Sequence, residues 1–442
     1  MNNILFVSGL AGDTRRYRCL HHQEQLALHG IASDLREAND IQLYVDATTH
    51  DLFILHRVGY SPLIADLIKI VHLRGKPVIF ETDDLIFKPA LYDQIAFIDT
   101  LSPAAAQRFR QDLYAQAETF AHSDAILTTT QYLAAAAAQH GKSAYIQRNA
   151  CSAEMVRNAE AAAAIHRQSD PAPDEESATV VIGYFSGTGS HNRDFAVITL
   201  ALIEILRRYP QVWLHISGHL ALDARFQPYT ARIRRAPYVA WQALPNLVAS
   251  VDINLAPLEL DNPFCQAKSE IKYSEAALVG VPTVASPTEA FAYAIQHGEN
   301  GLLAATEAEW VAALAHLVEN PAARQRLGVA ARQRVYQNYT VQPRSLELIA
   351  TLEQIKNNFS VPVADAGKVA QTVAVAMKRH LDELVVTQRQ QSTQMEQLRQ
   401  TIAQWQTQPA EPGRDFWRQS FEDAERRQVE VLQDLLARLA GA

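Results

Sequence analysis

The chain has 442 residues and a formal net charge of −8, from 40 Lys and Arg against 48 Asp and Glu. This excludes the strong basic footprint of a nucleic-acid-binding protein. Its 48% hydrophobic content suits large cores in roughly two or three domains. Cys19, Cys151 and Cys265 are too few and too scattered for a disulfide framework or a zinc knuckle, which points to a reducing compartment. No apolar run reaches the roughly 18 residues of a membrane-spanning helix. The opening MNNILFVSGL lacks the basic segment of a signal peptide, so a cytoplasmic protein is expected.

In chain order, short apolar runs bounded by small or polar residues come first. They are ILFVSG (4–9), DLFILHR (51–57), PVIFETDD (77–84), AILTTT (125–130) and YIQRNA (145–150). Continuous β-branched runs suit parallel strands buried on both faces. Helical stretches such as SPLIADLIKIVHLRG lie between them, so residues 1–150 read as a doubly wound α/β domain. Residues 151–178 read as a linker, with the polar, Pro-bearing HRQSDPAPDEESA (166–178) at its end. The strand pattern restarts with VVIGYFSG (180–187), VWLHISG (212–218), YVAW (238–241), INLAPL (253–258), PTVAS (282–286) and GLLAA (301–305). Residues 179–340 therefore form a second Rossmann-like domain. A ligand is expected outside the carboxyl ends of the strands, in the cleft between the two domains.

Beyond about residue 362 strand signals vanish. Residues 363–442 read as a helical tail, a candidate coiled coil for oligomerisation or partner binding. Met377, Leu381, Leu384, Met395, Leu398, Ile402 and Trp405 keep a 4,3 spacing, with Gln388 and Gln391 as a polar layer. A second helix is expected from Asp415 to about Leu439, after QPAEPG (408–413).

Two motifs carry chemistry. YFSGTGSHNRDF (184–195) lies at a strand end before a helix, and Gly187 and Gly189 would let the backbone approach phosphates. Arg193 would add a cation. The alternative is a plain strand-to-helix turn. In FCQAKSEIKYSEAALVGVPTVAS (264–286), Lys268, Lys272 and Glu275 share one face if the segment is helical. Two cations would neutralise a diphosphate and a carboxylate would accept from ribose hydroxyls. The alternative is a solvated face with an ion pair.

SEAALVGVPTVASPTEAFAYAIQHGENGLLAA resembles the donor-binding half of GT-B glycosyltransferases, especially glycosyltransferase family 4. The matching positions are Glu275, Gly280, Pro282, Ala285, Asn300, Gly301 and Leu302. The resemblance covers about residues 1–357. It implies a GT-B fold, with residues 341–362 as a helix crossing back to the N-terminal domain. It implies donor binding by Gly12, Gly187, Thr188, Arg193, Lys268, Ser269, Lys272 and Glu275, where Thr188 replaces the usual arginine. Ala267 stands where the family's first motif glutamate belongs, and Glu270 comes three residues late.

The N-terminal domain would bind the acceptor. SGLAGDTRRYRCLHHQEQLALHG (8–30) resembles the family's first loop, with Arg18 at the entrance and His21 and His22 on a helix surface. KPVIFETDDLIF (76–87) places Glu81, Asp83 and Asp84 where the family carries a histidine. Glu81 would contact the acceptor, and Asp83 or Asp84 would orient its hydroxyl or take its proton. An aspartate there would equally cap a helix. IFKPALYDQIAFIDTLSP (86–103) lines an acceptor site or faces a core.

The implied activity is transfer of a sugar from a nucleotide-sugar donor to a glycan or lipid-linked hydroxyl acceptor. It would be retaining, independent of metal and of any cofactor, in the cytoplasm or at the inner face of a membrane. A homo-oligomer through 377–405 is expected. Two rivals stand: a catalytically silent GT-B scaffold acting through its tail, and a GT-B sugar-nucleotide epimerase or phosphorylase.

Overall fold

The computed structural model describes residues 3–95, 98, 101–169, 179–187 and 192–406. The chain divides into two compact units, Met1–Ala370 and Gln371–Ala442.

The first unit holds two six-stranded parallel sheets. The N-terminal sheet contains β1 (Asn3–Ser8), β2 (Ala32–Glu37), β3 (Leu52–His56), β4 (Val78–Thr82), β5 (Ala125–Thr128) and β6 (Ser143–Ile146), in the order β2-β1-β3-β4-β5-β6. β1, β3, β4 and β5 are buried along their whole length or nearly so, as their continuous apolar runs require. β2, ASDLRE, lies at the sheet edge. Its polar composition hid it among the expected elements.

The second sheet contains β7 (Val180–Ser186), β8 (Val212–Gly218), β9 (Ile233–Ala236), β10 (Ile253–Ala256), β11 (Thr283–Ala285) and β12 (Leu302–Leu303), in the order β12-β11-β10-β7-β8-β9. From the opposite edge this is the 3-2-1-4-5-6 order of a dinucleotide-type fold, whose strand order reverses between β7 and β10. In the first sheet the reversal falls between β1 and β3. At both points the neighbouring connections leave on opposite faces and open a crevice at the carboxyl ends of the strands.

Three local expectations are corrected. YVAW (238–241) is not a strand. The edge strand is β9, five residues earlier, and Tyr238, Val239 and Trp241 face a cavity instead. The expected linker begins with the helix Ala153–Ser169. Met155, Ala159, Ala162 and Ala163 are buried along one helical stripe, and Met155 and Ala159 pack with Tyr273, Ala277 and Phe291 of the second domain. Residues 170–178 lie outside the described residues. His21 and His22 are buried rather than exposed, because the inward face of the helix His21–Ala27 covers the first sheet.

The helix Val341–Asn358 brings Leu348, Leu352 and Ile355 into the core of the first sheet, beside Ile4, Phe6 and Ile54. Ile86, Phe87 and Tyr92 are core residues of the N-terminal domain, and the Tyr92 hydroxyl donates to the Leu113 carbonyl at 2.9 Å. The core alternative for that apolar stretch therefore holds over residues 86–92.

The helix Ala366–Gln406 runs 41 residues and supplies the described part of the second unit. Val375, Val385 and Val386 are exposed on it. Gln388, the seam side chains from Gln391 onward and the helix expected from Asp415 lie outside what is described. Among the described residues no helix is long and apolar enough to cross a membrane.

Candidate active site

A cavity of about 440 Å³ lies between the carboxyl ends of the two sheets of the first unit. Asp13, Thr14, Arg57, Asp83 and Asp84 form its N-terminal wall. Phe185, Ser186, Gly187, Lys268, Ser269, Lys272 and Glu275 form much of the opposite wall, with Tyr238 and Trp241 beside them.

The first loop leaves β1 at Ser8. A Cβ on Gly9 would lie 2.2 Å from the Arg57 carbonyl oxygen, so only glycine lets the loop pass there. Gly12 has φ 97° and starts a helical segment whose Asp13 and Thr14 reach the cavity. A π-helical turn, Arg16–Leu20, follows. It sends Arg16 across to the second domain, where its guanidinium sits 4.3 Å from the Tyr17 ring and 4.4 Å from the Trp241 ring. Asp13 pairs with Arg16 at 3.0 Å.

Arg18 is not at the cleft entrance. It is completely buried, donating to Glu81 at 2.6 Å, to the Gln147 carbonyl at 2.8 Å and to Asn149 at 3.0 Å. Glu81 is equally buried. Burial raises its carboxyl to about 7, against the pull of Arg18. Neither side chain is open to an acceptor, which corrects the expectation from their place in the sequence. Both lie beneath the cavity floor, tying the first loop to β4. His56 is buried beside them, bridging Ser8 at 3.0 Å and Thr14 at 3.2 Å. Burial and then the neighbouring Arg57 hold its imidazole well below the usual value.

Asp83 and Asp84 both reach the cavity and share a partner. Arg57 lies 3.4 Å from Asp83 and 3.6 Å from Asp84. The Asp84 carboxylate also accepts from the Leu85 amide at 2.9 Å. No regular helix starts there, so this is a local turn rather than a helix cap.

On the second-domain wall the expected continuous helix is broken. The helix Pro263–Ala267 ends at Lys268, which is extended, and a second helix, Ile271–Leu278, starts after Glu270, whose side chain does not cap it. Lys268, Ser269, Lys272 and Glu275 nevertheless converge on the cavity. Lys268 pairs with Asp194 at 2.7 Å. Burial opposes its charge, but Asp194 and Cys265 beside it together raise its pKa. The Lys272 ammonium donates to the Phe185 carbonyl and lies 5.0 Å from the Tyr184 ring. Burial lowers it to about 8, with Glu275 opposing the shift. Ser269 accepts from Asn149 at 3.0 Å. Glu275 accepts from the Tyr17 hydroxyl at 2.8 Å, and burial raises its carboxyl above the ordinary value.

Gly187 lines the cavity, whereas Thr188 and Gly189 lie outside the described residues. Arg193 is not among the lining residues. It is 59% exposed and paired with Glu259 at 3.1 Å. Ala267 is fully buried among Phe80, Leu85 and Leu133 of the first domain, so the position expected to carry a glutamate closes the domain interface instead. Glu270 does not replace that carboxylate, because it accepts from Tyr339 at 2.8 Å and faces Arg148 at 3.5 Å.

Among the described residues Asp194, Glu259 and Cys265 bring ligand-type atoms within 4.8 Å of one another. Lys268 and Arg193 already neutralise the two carboxylates, and burial pushes the Cys265 thiol up to about 12. These are the properties of an ion-pair cluster rather than of a cation cage.

Sequence reasoning passed over Arg57, Asp13, Tyr17 and Trp241. The available signal was topological: loops after β1 and β3 flank the reversal of strand order.

Residues 199–350 match the family model described as "Glycosyl transferase-like". Solved structures share the architecture. HepE of Anabaena, in complex with UDP and glucose, has TM-score 0.54 at 16% identity, covering 80% of this chain and 100% of that one. Sucrose-phosphate synthase of Thermosynechococcus elongatus has TM-score 0.53 at 14% identity, covering 80% and 99%. A glycosyltransferase of Rickettsia africae has TM-score 0.52 at 11% identity, covering 81% and 99%. No curated protein matches the chain. With two parallel Rossmann-like domains facing across a cleft, the chain has the GT-B fold, and its second domain carries a glycosyl transferase-like segment.

Proposed function

We propose that the chain transfers a sugar from a nucleoside-diphosphate sugar to a hydroxyl of a glycan or lipid-linked acceptor. The observation that carries this reading is the single cavity in which Lys268, Lys272 and Glu275 of one domain face Asp83 and Asp84 of the other. The donor lies on the second wall. Glu275 accepts from its ribose, and the two ammonium groups with Ser269 and the backbone at Gly187 hold its diphosphate. The acceptor hydroxyl lies against Asp83. The acceptor oxygen bonds to sugar C1, the C1–phosphate oxygen bond breaks, and the acceptor proton passes to the carboxylate. The lysines stabilise charge gathering on the departing diphosphate, so the reaction runs without a metal. Retention of configuration follows from the family resemblance. The uridine nucleotides held by HepE make UDP-sugars the first donors to try.

A thermal-shift screen of UDP-, GDP-, dTDP- and ADP-sugars tests donor binding. A ligand present at 100 times its Kd stabilises by about 2.7 kcal/mol. Product analysis with the stabilising donor then separates glycan formation from epimerisation. Absence of any shift, or an epimer as the product, overturns the reading.

A further inference from the structure

Arg57 is the one non-glycine residue among those described that has a positive φ, at 50°. Glycine or asparagine adopts this left-handed conformation far more readily than arginine does. The conformation is held from both sides. The Arg57 amide donates to the Glu81 carbonyl at 2.9 Å, and the Gly9 amide donates to the His56 carbonyl at 2.9 Å. Gly9 also lies too close to the Arg57 carbonyl to carry a side chain. Two neighbouring strand ends thus force an unfavourable backbone onto a residue that is not the easy choice for it. Residues held this way by their surroundings cluster at active sites and ligand clamps.

The side chain goes to the cavity. Its two terminal nitrogens lie 3.4 Å from Asp83 Oδ1 and 3.6 Å from Asp84 Oδ2, and it is 16% exposed. Both separations exceed the 2.7–2.9 Å of a tight charge-assisted bond. The guanidinium therefore spans two carboxylates rather than locking onto one.

We propose that Arg57 is a positioning residue for acceptor chemistry. It holds Asp83 and Asp84 at a fixed separation on the acceptor wall, and it does not take part in donor binding. This rests on the transferase reading above. A planar guanidinium can bridge two carboxylates where a lysine ammonium supplies one point charge.

The test compares wild type with Arg57→Gly and Arg57→Lys for melting temperature, nucleotide-sugar affinity, kcat and acceptor KM. Arg57→Gly should melt no lower than wild type, since glycine relieves the backbone. Its donor affinity should stay within about twofold, while kcat falls at least about tenfold. Arg57→Lys should recover part of that loss. Wild-type kcat in Arg57→Gly overturns the proposal, as does a joint loss of melting temperature and donor affinity. If the wild-type chain transfers no sugar from any donor, the transferase reading itself falls, and Arg57's role with it. Activity in wild type with equal activity in Arg57→Gly removes only Arg57's role.

Discussion

The Tyr17 hydroxyl of the first domain donates to the Glu275 carboxylate of the second across 2.8 Å. It engages one carboxylate oxygen and fixes the orientation of the other. Arg16, stacked between Tyr17 and Trp241, reinforces the same crossing. Glu275→Ala should weaken nucleotide binding by about 1.5–3 kcal/mol, the worth of a hydrogen bond to a charged group. Tyr17→Phe should weaken it by less, about 1 kcal/mol, since it removes only the orienting bond. Calorimetric titration with the nucleotide checks both. Tighter binding by Tyr17→Phe would mean that Tyr17 competes with the ribose.

Lys272 should give donor affinity a pH limit. Its ammonium is lowered by burial from 10.5 to about 8. Diphosphate needs the charged form, so affinity should fall above about pH 8, by at most about tenfold per pH unit. Lys272→Arg should remove that limb. The effect on folding has the opposite sense. Between about 8 and 10.5 the unfolded chain holds the proton more tightly, so this residue makes stability rise with pH. Unfolding free energies at pH 7.5 and 9.5, for wild type and Lys272→Met, measure that contribution.

The Arg18–Glu81 pair should behave as buried structure. Arg18→Met leaves an unpaired carboxylate and should cost about 3–5 kcal/mol in denaturant unfolding. A stable Arg18→Met with a raised acceptor KM would return Arg18 to the acceptor site. Glu81 is raised on folding to about 7 from 4.5. Its contribution is present below pH 4.5 and is lost as pH rises through 7. Glu81→Gln should flatten the stability profile across that window.

Asp83→Asn and Asp84→Asn should differ. The Asp84 carboxylate accepts a backbone hydrogen bond from Leu85, which asparagine can also accept. Asp83 shares Arg57 and the cavity with Asp84 but is the more buried of the two, 14% against 41% exposed. Turnover should drop about 100-fold or more in Asp83→Asn, as loss of general acid–base assistance implies. A fully active Asp83→Asn would move the proton transfer elsewhere. Excess chelator should leave turnover unchanged in wild type.

The tail should associate. A helix of 41 residues that repeats apolar residues on a 4,3 spacing leaves a stripe in water unless it finds a partner. Light scattering on the full chain should show an oligomer, and a chain ending at Ala370 should be monomeric. A monomeric full-length chain would refute the association.

The two-domain α/β fold was legible in the sequence because central parallel strands are buried on both faces. Runs such as ILFVS and LFILH have no other use in water. The polar edge strand ASDLRE carried no such mark. The resemblance grouped Lys268, Ser269, Lys272 and Glu275 as an expected donor set, and they do share one cavity wall, although the helix expected to align them is broken at Lys268. Arg18 and Glu81 were expected at the acceptor site, because charged side chains beside a cleft normally face solvent or ligand. Only the packing of the first loop on β4 reveals a mutually neutralised pair inside. Arg57 was illegible for a related reason. Its role depends on a backbone angle set by Gly9 and Glu81, residues 48 and 24 positions away on neighbouring strands. Local periodicity determines which segments become strands and helices. The pairing of strand ends brought together from distant positions decides which side chains share the cleft.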